Sequence, residues 1–258
     1  MRLGLALTAG DEGPGAALAE AHGLFGVLVD GPAAGAEAVA AAGAAAATEA
    51  VRIAVRLRLG HEHPVTLAEE IAVLDNAANG RIVVVADVGR LDAAEAAEDV
   101  TLLQRCWAAR PVRHEGTRWR VPAGIDGHDA PEVVEVTPKP AQVAVPVWLA
   151  GAAAAAASER LGLPVLADRP EDCDRDRLVQ PGLVDLTGAL EADRGAVGAW
   201  RDAGATHLFV RLPGGIDIAE SLVAVSRFLA PEVGMPSFPR VIAESATPAA
   251  WPGRGAGA

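Results

Sequence analysis

The sequence predicts an α/β fold, a shortened (β/α)8 TIM-type barrel with an inserted loop before strand five. Three observations carry this reading. Short apolar runs alternate with alanine-rich helical stretches, the pattern of parallel β/α units. The runs number eight, enough to close a barrel, and the 258 residues suit one such domain. Within the longest run, large apolar residues occupy every second position, so one face packs under helices while the other looks inward.

The strand candidates, in order, are Leu3–Thr8, Phe25–Asp30, Val51–Leu59, Ile82–Asp87, Val145–Ala150, Pro164–Ala167, Leu183–Thr187 and Thr206–Leu212. Helices fit between them. Ala16–His22 stops at Gly23, a residue suited to the position after a helix end. Gly35–Ala47 is nearly all alanine, a thin helix able to lie close to a sheet, and Thr66–Ala78 places Leu67, Ile71 and Leu74 on one face. Asp92–Ala109, Ala152–Leu161, Asp193–Ala203 and Ile216–Leu229 complete the set. Pro111–Val143 carries four prolines beyond the first and several glycines, so it reads as an inserted loop with one hairpin at His114–Val121. Residues 1–230 form the barrel, and 231–258 a mobile Pro/Gly/Ala-rich tail on which Trp251 has the means to dock.

Composition excludes several function classes. A net charge of −12 argues against a nucleic-acid partner, which needs a basic face. No apolar run approaches the ~18 residues of a membrane span. The first apolar run leads straight into Asp11 and Glu12 and is too short for a signal peptide, so a cytoplasmic protein is expected. Cys106 and Cys173 cannot build a disulfide framework. His61 and His63 flank Glu62 without further ligands in metal spacing, so no metal site is expected, and His63-Pro64 is read as a helix start. Trp107, Trp148 and Trp200 are read as packing residues.

The alternation also places charges. Arg52, Arg56 and Arg58 of strand three point into the barrel, as do His207 and Arg211 of strand eight, while strand one contributes small Gly4, Ala6 and Thr8. Inward charges need partners. Asp30, Asp87 and Asp185, at or near strand carboxyl ends, are the candidates. Their arrangement is open to a structural ion-pair network or to an anion site using Arg58 or Arg211.

Five segments, in order, resemble the luciferase-like family of flavin- or deazaflavin-dependent oxidoreductases. They are Val51-Arg52-Ile53 leading through Gly60 to His63-Pro64-Val65-Thr66-Leu67-Ala68-Glu69-Glu70; Leu74-Asp75-Asn76 with Gly80-Arg81; Leu102–Trp107 with His114-Glu115-Gly116; Thr137-Pro138-Lys139-Pro140 before Val147-Trp148-Leu149-Ala150-Gly151; and Ala203-Gly204-Ala205-Thr206. The resemblance implies a cofactor, FMN or the deazaflavin coenzyme F-420, at the carboxyl end of the strands, with a small organic molecule as substrate. It places Asp30, Asp87 and Arg58 around the ring, and Gly151, Ala152, Gly188 and Arg211 as phosphate candidates, the first two at a helix start. Of the glycine-rich run that ends the family's strand four, Gly89 survives, and Arg90 stands where a glutamate is usual. Gly31 follows Asp30 where deazaflavin-dependent members carry a histidine. No catalytic residue is assigned. The alternative is a flavin-free homologue acting as a structural or regulatory partner, its mouth filled by Arg56 and Arg58 paired with Asp30 or Asp87. Either way the resemblance implies a homodimer, or a heterodimer with a related barrel, through the Gly35–Ala47 and Thr66–Ala78 helices.

Overall fold

The computed structural model describes residues 1–123, 131–215 and 217–235. Residues 124–130 of the inserted loop, Ile216 at the expected start of the last helix, and the tail from 236 onward with Trp251 lie outside the described residues.

Strands and helices alternate from the amino terminus: β1 (Arg2–Leu7), α1 (Glu12–Ala21), β2 (Gly26–Val29), α2 (Glu37–Ala46), β3 (Arg52–Arg58), α3 (Pro64–Ala77), β4 (Ile82–Asp87) and α4 (Ala93–Trp107). A small antiparallel hairpin follows, β5 (His114–Glu115) with β6 (Arg120–Val121), inside the segment expected to hold one. The barrel then resumes with β7 (Val147–Ala150), α5 (Ala154–Leu161), β8 (Pro181–Asp185), α6 (Leu190–Ala203), β9 (His207–Arg211) and α7 (Ile218–Ala224). Seven strands form one parallel sheet in the order β7-β4-β3-β2-β1-β9-β8. The expected sixth strand, residues 164–167, is reduced to two parallel bridges, Leu149 with Val165 and Ala167 with Gly182. They join the outer strands β7 and β8 and close the ring.

Local signals explain several boundaries. Asp92 caps α4 by accepting from the Ala94 and Glu95 amides, while the Glu95 side chain returns to the Asp92 amide. His63 caps α3 through Nδ1, and Pro64 occupies the first turn, where its missing N–H costs nothing. Helix α1 begins four residues earlier than expected, because Pro14 is tolerated in a first turn. β8 begins two residues earlier, with Pro181 as its first residue, a position where proline removes no needed ladder bond.

Two apolar layers result. Ile53, Val55, Leu57 and Leu59 of the third strand region, with Leu208 and Val210 of β9, pack outward against the helices. Ala6, Leu28, Ala54, Val85, Trp148 and Phe209 fill the barrel interior. The expected inward and outward faces of strands one, three and eight are therefore those observed. Gly4 is required here, since a Cβ would lie 2.7 Å from the Phe209 ring. Beneath this layer, His207 contacts the Phe25 ring at 4.9 Å between centroids, and the Trp148 ring lies 5.8 Å away. The lower barrel is a packed core rather than a channel. Among the described residues, no helix is long and apolar enough to cross a membrane.

Candidate active site at the barrel mouth

The carboxyl ends of the strands bring charges together because β1, β2, β3, β4 and β9 end side by side. Arg56 and Arg58 are two residues apart on β3, so both look inward. Arg56 reaches Asp87 at 2.9 Å and lies 3.7 Å from Asp30. Arg58 pairs with Asp30, donates to Glu37 at 3.0 Å, and donates to the Gly31 carbonyl at 3.0 Å. Arg211 pairs with Asp185 at 2.5 Å, at the more exposed rim. The expected ionic partners Asp30, Asp87 and Asp185 are thus those that the fold supplies. Partly buried pairs of this kind fix geometry; removal of one partner leaves an uncompensated charge.

Glu37, at the start of α2, is a partner that sequence reasoning missed. Its side chain is 3% exposed and holds Arg58 from behind. A lone acid leading an alanine helix gave no signal, because only the closeness of α2 to the mouth buries it. The acidic wall continues outward: burial first, then the charges of Glu62 and Glu37, raise the Glu70 carboxyl above its ordinary value.

Between these groups lies a pocket of 270 Å³. Ala6 and Leu28 lie at its base, Thr8, Asp30 and Gly31 at its side, and Arg58 and Arg211 at its edge. Across the mouth, Gly151 and Ala152 line a separate 560 Å³ groove beside α5, where residues 168–180 stand in place of a full helix. Gly188 lines a third space, between α6 and α7. The eight expected cofactor residues therefore do not share one cavity.

Two of the expected donor positions are engaged by the chain itself. The Gly188 amide donates to Asp193 at 3.0 Å, and the Thr187 amide donates to the same carboxylate at 2.8 Å. This corrects the reading of Gly188 as a free donor: an aspartate in the first turn of α6 satisfies the turn from within. The Gly89 amide likewise donates to Asp87 at 2.9 Å. Gly151 has φ +93°, and a Cβ there would lie 2.6 Å from Asp87 Oδ1, so glycine is obligatory where the two loops touch. His63 is occupied as a helix cap, and among the described residues no group of three or more His, Cys, Asp or Glu side chains is placed to hold a metal ion.

The model of the luciferase-like monooxygenase family matches residues 14–168, more than half of the chain. The chain belongs to that family. A comparison with curated proteins finds no match. Among solved structures, this luciferase-like chain is similar to the coenzyme F-420 dependent tetrahydromethanopterin reductase of Methanopyrus kandleri, with a TM-score of 0.68 and 14% identity over 90% of this chain and 99% of that one. It is also similar to an F-420 dependent secondary alcohol dehydrogenase in complex with an F-420–acetone adduct, with a TM-score of 0.64 and 15% identity over 90% of this chain and 98% of that one. A Baeyer–Villiger monooxygenase component of Pseudomonas putida, in complex with FMN, has a TM-score of 0.50 and 17% identity over 81% of this chain and 66% of its own. Identities this low establish the fold alone.

Membership in the luciferase-like family sharpens the meaning of two departures. At Gly31, where the resemblance to deazaflavin-dependent members implied a histidine, a Cβ would lie 2.8 Å from the Glu37 backbone. The approach of α2 that buries Glu37 leaves no room for that side chain. Arg90 points outward instead of bounding the pocket, with its guanidinium 3.5 Å from His61. What remains is a 270 Å³ pocket lined by apolar Ala6 and Leu28 and by the charged hydrogen-bonding groups of Asp30, Arg58 and Arg211, a lining that suits a ring with polar edges. That volume lies just below the ~300 Å³ at which pockets for whole drug-sized ligands begin, a size for a ring system rather than a nucleotide.

Proposed function

We propose that this chain is an oxidoreductase acting on a small organic substrate, with the ring of FMN or of the deazaflavin coenzyme F-420 seated at the barrel mouth. The observation that supports it is the pocket formed by Ala6, Thr8, Leu28, Asp30, Gly31 and Arg58 at the carboxyl end of β1, β2 and β3. This is the end where barrels of this type carry out chemistry. Such a cofactor, when bound, supplies hydride transfer or oxygen activation. Asp30 and Arg58 would orient the polar edge of the ring. Arg211, at the open side, would meet the substrate.

A second reading has its own support. Arg56 and Arg58 are paired with Asp30, Asp87 and Glu37 across the mouth, as a flavin-free partner subunit would require. Val39 on α2 and Val73 on α3 are 75% and 55% exposed, and these helices are the proposed contact face of a homodimer or of a heterodimer with a related barrel.

One titration separates the two readings. FMN and the deazaflavin are each added to the purified protein and followed by fluorescence, with Arg58→Ala and Arg211→Ala in parallel. Binding at about micromolar Kd that Arg58→Ala weakens by about tenfold supports the oxidoreductase. Absence of binding of either cofactor up to about millimolar concentration sinks it and leaves the partner-subunit reading.

A further inference from the structure

We infer that the mouth grips its cofactor by the ring alone, so that a flavin lacking a phosphate binds as tightly as one carrying it. The inference rests on the proposed flavin reading, and it concerns the groups a phosphate would need.

A phosphate is held by backbone amides at a loop or helix start, by hydroxyls, or by cations. Among the described residues at the mouth, the amides and hydroxyl of the β8–α6 turn, the Gly89 amide, and Arg56, Arg58 and Arg211 are engaged by carboxylates, and the turn into α5 offers backbone amides alone. At the β8–α6 turn, Asp193 accepts from the Thr187 and Gly188 amides at 2.8 and 3.0 Å and from the Thr187 hydroxyl at 2.8 Å. That hydroxyl in turn accepts from the Ala189 amide at 3.1 Å. Asp193 is 6% exposed, so the chain's own carboxylate sits where an outside anion would have to enter. At the end of β4, Asp87 takes the Gly89 amide and Arg56.

The remaining cradle, the turn into α5, has no hydroxyl from Gly151 through Ala157, and its cap residue Ala153 offers no side-chain hydrogen bond. Asp87 faces that turn, 2.6 Å from where a Gly151 Cβ would be. A phosphate docking there meets a carboxylate at close range.

Three cations at the mouth are engaged as well. Arg58 holds Asp30 and Glu37, Arg56 holds Asp87, and Arg211 holds Asp185. Counting these groups, five carboxylates (Asp30, Glu37, Asp87, Asp185, Asp193) face three guanidiniums (Arg56, Arg58, Arg211), an excess of two negative charges. The surrounding chain, at −12, does not offset it. At these groups a phosphate dianion can enter only by displacing a carboxylate from a partner, which exchanges one anion for another and leaves the first uncompensated. The ring pocket asks for no such exchange, since its base is Ala6 and Leu28.

The test compares riboflavin with FMN on the same protein by fluorescence titration, with thermal melting in inorganic phosphate as a second arm. The expected result is Kd values within about threefold of each other, and an FMN affinity little changed from about 50 to about 500 mM chloride. Phosphate should raise the melting temperature no more than chloride at equal ionic strength. FMN binding tighter than riboflavin by about tenfold or more overturns the inference. So does a saturable stabilisation by phosphate that Arg211→Ala removes.

Asp193→Ser, which frees the Gly188 amide, should create a preference for FMN over riboflavin that the wild type lacks. If that variant does not fold, Asp185→Asn at the exposed rim frees Arg211 for the same comparison. If neither flavin nor the deazaflavin coenzyme binds the wild type, the proposed function fails, and the phosphate arm alone then decides whether the mouth rejects phosphate.

Discussion

β3 and β4 share six ladder pairs, and the helices around them, α2, α3 and α4, run for 10, 14 and 15 residues. At the opposite side of the ring, residues 164–167 connect their neighbours by two bridges, and the segment after them holds only a three-residue 3-10 turn. The first region gains stability from many small contributions, repeated backbone bonds and buried Leu, Ile and Val. The second depends on a few large side chains and polar staples. Trp200 of α6, 2% exposed, covers Gly182 of β8, and Gln180 ties the loop to β9 by accepting the Thr206 and His207 amides on its carbonyl. The lesson is that a barrel shortened at one unit concentrates its dependence on single residues there.

The largest expected effect tests that directly. Trp200→Ala should cost about 3–5 kcal/mol and more than Ile71→Ala in the regular half, for which about 2–5 kcal/mol is the general range, both measured by denaturant unfolding. Equal costs, or a larger one at Ile71, would break the comparison.

Next is the joint between α3, β4 and the inserted loop. Asp75 is fully buried and accepts from the Ile82 amide, the Gln142 amide at 3.0 Å and Gln142 Nε2 at 2.8 Å. Asp75→Ala leaves these donors without an acceptor and should cost about 3 kcal/mol. A loss below about 1 kcal/mol would show that water replaces the carboxylate.

A smaller effect comes from pH. Burial, then the charges of Arg2 and the amino terminus, push His207 down to about 4 from its ordinary 6.5. Its folded value lies below its unfolded one, so the unfolded chain takes up a proton first as pH falls. Stability is full above about pH 6.5 and declines through the window down to about pH 4. The loss should be about 2 kcal/mol, reduced from the full shift because the ring is partly solvated. His207→Gln should flatten the melting temperature across that window relative to the wild type, and an unchanged slope would assign the decline to other groups.

The smallest effect is at the rim. Arg211 and Asp185 are 41% and 72% exposed, so Arg211→Ala should change stability by less than about 1 kcal/mol. A larger loss would mean that the thin side of the ring also leans on this pair.

The family resemblance was legible because its motifs are joints of the fold. Arg81 of the Gly-Arg pair lies 8% exposed and donates to the Ala78, Val51, Ala45 and Thr48 carbonyls and to the Thr48 hydroxyl. His114 of the His-Glu-Gly turn contacts Glu98 at 3.1 Å, and burial of that carboxylate is outweighed by its bonds from the Trp119, Arg118 and Thr117 amides and His114, which lower its pKa. Lys139 of the proline-rich segment holds the Cys106 carbonyl at the end of α4. Such joints need particular residues at particular spacings, and a sequence displays spacing. The site is different in kind. Asp30, Arg58 and Asp87 stood out because inward charges are rare, yet Glu37 and Asp193 gave no sign, since what makes them matter is the approach of another element.

By itself the sequence determined the alternation of strand and helix, the inward and outward faces of strands one, three and eight, and the family. All three follow from local periodicity and spacing, which act within a few residues. Only the tertiary structure decided that strand six would shrink to two bridges, that α2 would close over Gly31 and bury Glu37, and that the glycine amides at the mouth would be taken by Asp87 and Asp193. Those outcomes depend on distances between segments far apart in the chain, which no local pattern encodes.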